Sequence, residues 1–300
     1  MQRELKLLKE SSEFSSVFRN EPAVKFGLGG LTYQLYFNKK YCEEDLEKWY
    51  NGFQSDTNDD NAIRIAYLTK DDLSPELYEE LVDQSPNYRN VQVITENPLL
   101  DEEEVAVFRW DFRAIVNKNT RLCRVYLLNQ VAGSIDAIAR ITGALLYVER
   151  NAFLIHGSSI VHDGKGYLFT GVSGSGKSTI AELSGATVLN DEISLIQVSQ
   201  DGEAYVHGTP FYGDLKQGEN KHAPLHGMYL LSQSDDVFIE EVEEMKQHLS
   251  LLRNIIFFQT DLNSFDQINS IVEKTLQCTP LKMLHFEKNN RFMEALPSYG

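Results

Sequence analysis

The stretch that most constrains this chain is Gly171-Val172-Ser173-Gly174-Ser175-Gly176-Lys177-Ser178, set between an apolar run, Tyr167 to Thr170, and a helix-like run that opens at Thr179. Gly-x-x-x-x-Gly-Lys-Ser after a strand and before a helix is the pattern of a phosphate-binding P-loop. Its glycines let successive backbone N–H groups converge on phosphate oxygens at a helix N-terminus. Lys177 then meets the β- and γ-oxygens, the Ser178 hydroxyl ligates magnesium, and Thr179 carries the loop into the helix. The ligands expected from these residues are ATP or GTP with Mg2+, on an α/β core.

The next element adds acid. Gly185 ends a very short helix, and Ala186 to Leu189 form a strand that closes on Asn190, Asp191 and Glu192. An apolar strand ending in carboxylates is what a magnesium site beside Ser178 requires, so Asp191 is the candidate ligand and Glu192 its neighbour in the site. Acidic residues also open turns, and that reading stays beside the first.

His156 is placed by counting. If Asp163 to Gly166 close a tight hairpin, Val161 pairs with Leu168, Ser159 with Thr170, and His156 falls opposite Ser173. An imidazole beside the loop can handle a proton or contact phosphate, and it can equally be structural. The glycine- and lysine-bearing segment from Gly208 to Leu225 either covers the phosphates, with Lys221 or Lys216 as its cation, or is a surface connection. His207, His222, His226, His248 and His285 show no ligand spacing, so no metal beyond magnesium is expected.

Three hundred residues at 42% apolar composition can bury one folded unit with two subregions. Residues 22 to 37 alternate around Gly27, Gly29 and Gly30 as a hairpin does. A helix over 43 to 53 and an Asp/Asn-rich loop at 56 to 61 follow, then strands at Ile63 to Leu68, Val91 to Thr95, Val105 to Trp110 and Leu122 to Leu128. Residues 1–130 therefore read as a strand-rich α+β region of unassigned role, and 131–300 as the nucleotide-binding domain. Ser134 caps a helix ending near Arg150, and Phe153 to Ile155 and Ser158 to Val161 read as two strands.

Charge and cysteine usage narrow the partners. The net charge is −16, and between Cys42 and Glu104 acidic residues outnumber Lys48, Arg64, Lys70 and Arg89 heavily enough to repel a nucleic-acid backbone. That surface is a solvated face, or a steering surface for a basic protein or peptide. No apolar run is long enough for a membrane span, and Met1 to Glu10 mixes leucines with charges like a surface helix rather than a signal peptide. Cys42, Cys123 and Cys278 are far apart and odd in number, the pattern of ordinary thiols, so a cytoplasmic protein is expected. A homo-oligomer is compatible with all of this.

From His156 to Leu231 the order of elements resembles the catalytic domain of HPr kinase/phosphorylase and its smaller relatives linked to peptide modification. The resemblance is carried by His156-Gly157 opening a hairpin, the Gly171 to Ser178 loop, the short helix and Asn190-Asp191-Glu192. It also draws on Gly208-Thr209-Pro210-Phe211 followed by Lys221 and Ala223-Pro224-Leu225. It implies an α/β, HPr-kinase/PEP-carboxykinase-like core with a mixed sheet, and transfer of the γ-phosphate to a serine of a peptide or small protein. It further implies that His156 assists proton or phosphate handling, Lys177 binds phosphates, Ser178 and Asp191 surround magnesium, and Asp191 or Glu192 activates the acceptor hydroxyl. Asp191-Glu192 in place of paired aspartates, and the lack of the glycine-rich signature of the bona fide HPr enzymes, set this chain apart from them. A nucleotide-binding switch or scaffold without phosphotransfer is the alternative. A small-molecule kinase is disfavoured, since only Arg253 and Arg291 follow the loop.

Overall fold

The computed structural model describes residues 1–38, 43–57, 59–129, 132–216, 218–258 and 262–297. The chain is mixed α/β with two mixed sheets, and it divides into two compact units, Met1–Leu145 with Phe258–Asp261, and Leu146–Phe257 with Leu262–Gly300. Cys42 and the boundary expected near residue 130 lie outside the described residues. The two units meet along the chain at Leu145, in the last turn of the long helix over 132–146. Among the described residues no helix is long and apolar enough to cross a membrane.

The first unit runs α1 (Gln2–Glu10), α2 (Glu13–Val17), β1 (Val24–Leu28), β2 (Leu31–Phe37), α3 (Glu43–Trp49), β3 (Ile63–Leu68), α4 (Pro75–Asp83), β4 (Gln92–Ile94), β5 (Glu104–Arg109), β6 (Phe112–Asn117), β7 (Leu122–Leu127) and α5 (Ala132–Leu146). The strands form one sheet in the order β1-β2-β3-β7-β6-β5-β4. The β1–β2 hairpin turns at Gly29 and Gly30, at φ 56° and 75°, the mirror-image turn that suits the twist of paired strands. Leu5 and Leu8 of α1, Phe14 of α2 and Leu81 of α4 pack with Ala66, Phe108, Ile115 and Tyr126 of the sheet. Their burial gives α1 one apolar face on the core, while Gln2, Arg3, Lys6 and Glu10 stay exposed, as in a surface helix. Ser134 does not cap α5: the helix begins at Ala132, and the Ser134 hydroxyl, inside its first turn, donates to Asp111 Oδ2 at 2.5 Å.

The second unit runs β8 (Ala152–His162), β9 (Lys165–Thr170), α6 (Lys177–Leu183), β10 (Thr187–Asn190), β11 (Ile193–Val198), β12 (Ala204–His207), β13 (His222–Gln233), β14 (Phe238–Glu240), α7 (Glu244–Asn254), α8 (Leu262–Cys278), β15 (Leu281–Phe286) and α9 (Phe292–Ala295). β13 lies parallel to both β9 and β15, and β8 is antiparallel to β9. Alternation along β9 separates the two faces. Tyr167 and Phe169 pack with Ile180 of α6 and Phe292 of α9, while Leu168 packs with Leu251 of α7 and Ile268 and Val272 of α8.

Two expectations are corrected here. The pair of strands at 153–155 and 158–161 is the single strand β8, whose first half pairs with β11 and whose second half pairs with β9 and β10. Its partner changes at His156 and Gly157 without a break in the backbone. The hairpin register also differs by two residues: Val161 pairs with Gly166, Ser159 with Leu168, and Gly157 with Thr170. The turn consists of Asp163 and Gly164 alone, at φ 51° and 76°, so Lys165 and Gly166 belong to the strand. A shift of two keeps every side chain on its face, and His156 stays beside the loop.

Candidate phosphate site

The glycine loop leaves β9 at Thr170, at the end of a central parallel strand, and enters α6 at Lys177. Gly171, Gly174 and Gly176 take φ of 139°, 80° and 105°. Gly176 is the position where only glycine serves, because a Cβ there would stand 2.8 Å from the Phe286 ring. No side chain caps the first turn of α6 at Gly176, so its N–H groups stay directed out of the helix.

Lys177 curls back along the loop, its Nζ donating to the carbonyls of Gly171 at 3.0 Å and Val172 at 3.1 Å. Partial burial lowers its pKa from the ordinary lysine value, and the nearby Glu192 carboxylate opposes that shift. The Ser158 hydroxyl accompanies the loop into the helix, donating to the Lys177 carbonyl at 2.6 Å. On the strand side, Thr170 Oγ1 donates to the His156 carbonyl at 2.7 Å, tying the start of the loop to β8. Ser175 Oγ is buried within the loop with no hydrogen-bond partner.

The acidic pair divides into two environments. Asn190 accepts the N–H groups of Glu192 and Ile193, both at 2.6 Å, and donates to the carbonyl of Thr209 at 2.8 Å. This buried amide sets the turn that separates its two acidic neighbours. Asp191, fully buried, accepts the backbone N–H of Gly213 at 2.9 Å and of Leu215 at 2.8 Å. Its carbonyl receives the Ser178 hydroxyl at 3.3 Å. Glu192 is 40% exposed, and its Oε1 lies 3.8 Å from His156 Nδ1.

Gly171, Val172, Ser173 and Lys177 line one cleft of about 670 Å3 together with His156 and Glu192. Its opposite wall is Ser250, Arg253 and Asn254 of α7, over an apolar floor that includes Leu230, Leu231 and Met283. Arg253 comes here because the end of α7 is pinned to β8: Ile255 bridges Ile155, and the Ile256 N–H donates to the Leu154 carbonyl at 2.8 Å. No local sequence signal marks Arg253 as a site residue, since only its packing brings it to the loop. Lys221 is elsewhere, exposed and paired with Glu219 at 2.5 Å, and it does not line the cleft. Thr179 lies on α6 behind the loop, and neither it nor Asp191 lines the cleft.

Among the described residues no group of three or more His, Cys, Asp or Glu side chains could by itself hold a metal ion. Magnesium bound with a nucleotide needs few protein ligands, because phosphates and water supply the rest. The Ser178 hydroxyl is not among the groups that line the cleft and is spent on the Asp191 carbonyl, which it would leave to meet an ion, and the carboxylate that lines the cleft is that of Glu192. The unsatisfied Ser175 hydroxyl and the uncapped turn of α6 suit a bound anion.

No protein-family model matches the sequence, and no curated protein matches it. Among solved structures, the Hpr(Ser) kinase/phosphatase from Coxiella burnetii aligns over 40% of this chain and 88% of its own, at 15% identity and a TM-score of 0.21. Likeness at that score carries no weight for fold or activity.

Proposed function

We propose that this chain is a magnesium-dependent kinase that binds ATP or GTP through Gly171 to Ser178 and transfers the γ-phosphate to a serine hydroxyl of a peptide or small protein. The observation that carries the reading is that Lys177 and the Glu192–His156 pair line one cleft. Lys177 exchanges its two loop carbonyls for the β- and γ-phosphate oxygens, where its charge is most useful. Glu192 Oε1 takes the acceptor proton, and His156 beside it holds the carboxylate in place. The serine oxygen bonds to the γ-phosphorus as the bond to the β-phosphate bridging oxygen breaks. Arg253 faces the same volume and meets the phosphoryl oxygens from α7. Magnesium would be held by Ser178 together with phosphate oxygens and water, and would neutralise phosphate charge there. Asp191 serves this site by fixing the loop over Gly213 and Leu215.

The test is transfer itself. With labelled ATP and magnesium, label should move to serine in candidate peptides encoded beside the gene, while release of free phosphate stays slow, because such a site closes against water. The Lys177→Ala protein should label nothing and lose tight nucleotide binding. Nucleotide hydrolysis with every peptide unlabelled would leave the chain a nucleotide-binding switch.

A further inference from the structure

A second hollow, of about 410 Å3, lies beyond the C-terminal ends of β13 and β15 and is lined by Gln233, Ser234, Asp235, Phe286, Glu287 and Lys288. It borders the glycine loop directly. Gln233 Nε2 donates to the Gly174 carbonyl at 3.3 Å, and the Phe286 ring lies against Gly176. Ligands of parallel sheets bind outside the carboxyl ends of the strands, and β9, β13 and β15 are the parallel strands here. The loop thus stands between two hollows at one sheet end, and only the other contains Lys177, His156 and Glu192.

Their chemistry differs as the two ends of a nucleotide do. An acceptor hydroxyl must approach the γ-phosphorus in line with the bond to the β-phosphate, so the nucleoside has to leave the loop away from the acceptor. We infer that the hollow at Gln233–Asp235 and Phe286–Lys288 takes the ribose and base of the nucleotide, with the Asp235 and Glu287 carboxylates accepting the ribose hydroxyls. This inference rests on the phosphate-loop reading. Glu287 is held by Asn289 at 2.6 Å and Arg291 at 3.2 Å, both through Oε2, which leaves Oε1 for a hydroxyl. Carboxylates accept hydroxyl donors and repel phosphate, so they suit the sugar and not the triphosphate.

The experiment compares ATP, 2′,3′-dideoxy-ATP and inorganic tripolyphosphate as ligands of the full chain by calorimetry in magnesium. Wild type should bind ATP about tenfold to a hundredfold more tightly than the dideoxy analogue, the scale of two hydrogen bonds of ordinary net strength in a solvated hollow. In the Asp235→Ala/Glu287→Ala double variant that ratio should fall to near one, while tripolyphosphate binding persists and reports an intact loop. Taking the ratio cancels the gain that any anion enjoys when two negative charges are removed. Equal wild-type affinity for ATP and its dideoxy analogue, or a double variant that keeps the preference, overturns the inference and leaves the phosphate loop standing. Tripolyphosphate that fails to bind wild type overturns the phosphate-loop reading and this inference with it.

Discussion

The carboxylate of Asp191, itself fully buried, accepts the backbone N–H of Gly213 at 2.9 Å. A Cβ on residue 213 would stand 2.8 Å from Asp191 Oδ2, so glycine is required for the approach. With Leu215 as its second donor, this carboxylate acts as the anchor of a loop.

Asp191 and Glu192 should therefore separate under mutation. Asp191→Asn turns an amide NH2 toward a backbone donor and should cost about 1–3 kcal/mol, the scale of a buried group left unsatisfied. A lower melting temperature and faster hydrogen exchange at Gly213 and Leu215 would register it. Glu192→Gln should melt like wild type and lose roughly 100-fold in transfer rate, as removal of a positioned base does. The opposite pattern would return the base to Asp191.

Arg253 should matter to transfer more than to nucleotide affinity. Arg253 lines the cleft from α7, and a guanidinium can bind a phosphoryl group in two places at once. Arg253→Lys keeps the charge and loses the planar fork, so single-turnover transfer should fall by roughly 100-fold while calorimetric ATP affinity changes little. Transfer at the wild-type rate would make Arg253 a surface residue.

His207 of β12 pairs with His222 of β13, their rings 5.1 Å apart. Burial, and after it the neighbouring His222, hold the His207 imidazole down at about 4, against an ordinary 6.5. Between those values the unfolded chain takes up the proton first, so this group's contribution to stability is complete above about pH 6.5 and is lost as pH falls toward 4. The loss amounts to at most roughly 3 kcal/mol. Urea unfolding of wild type and His207→Phe between pH 7 and 4.5 should show a shallower decline in the variant. Equal slopes would exclude His207 as the cause.

What the sequence determined by itself is local. The turn at Gly29 and Gly30, the acid-rich end of β10 and the glycine loop between β9 and α6 are legible because their residues act on their own neighbours, through φ preference, spacing and side-chain chemistry. The register of β8 against β9 lies two residues from the one that counting predicts, since a turn of two residues or four is settled by strand pairing along its whole length. The environments of Asp191 and Glu192 could not be read from adjacent letters. Asn190 divides them by bonding to Thr209, and Gly213 and Leu215 claim one carboxylate. Arg253 and Asn254 join the cleft through the attachment of Ile255 and Ile256 to β8. Those contacts bring together residues about 100 positions apart, and a closure of that length is decided by the core it buries, to which no short window of sequence has access.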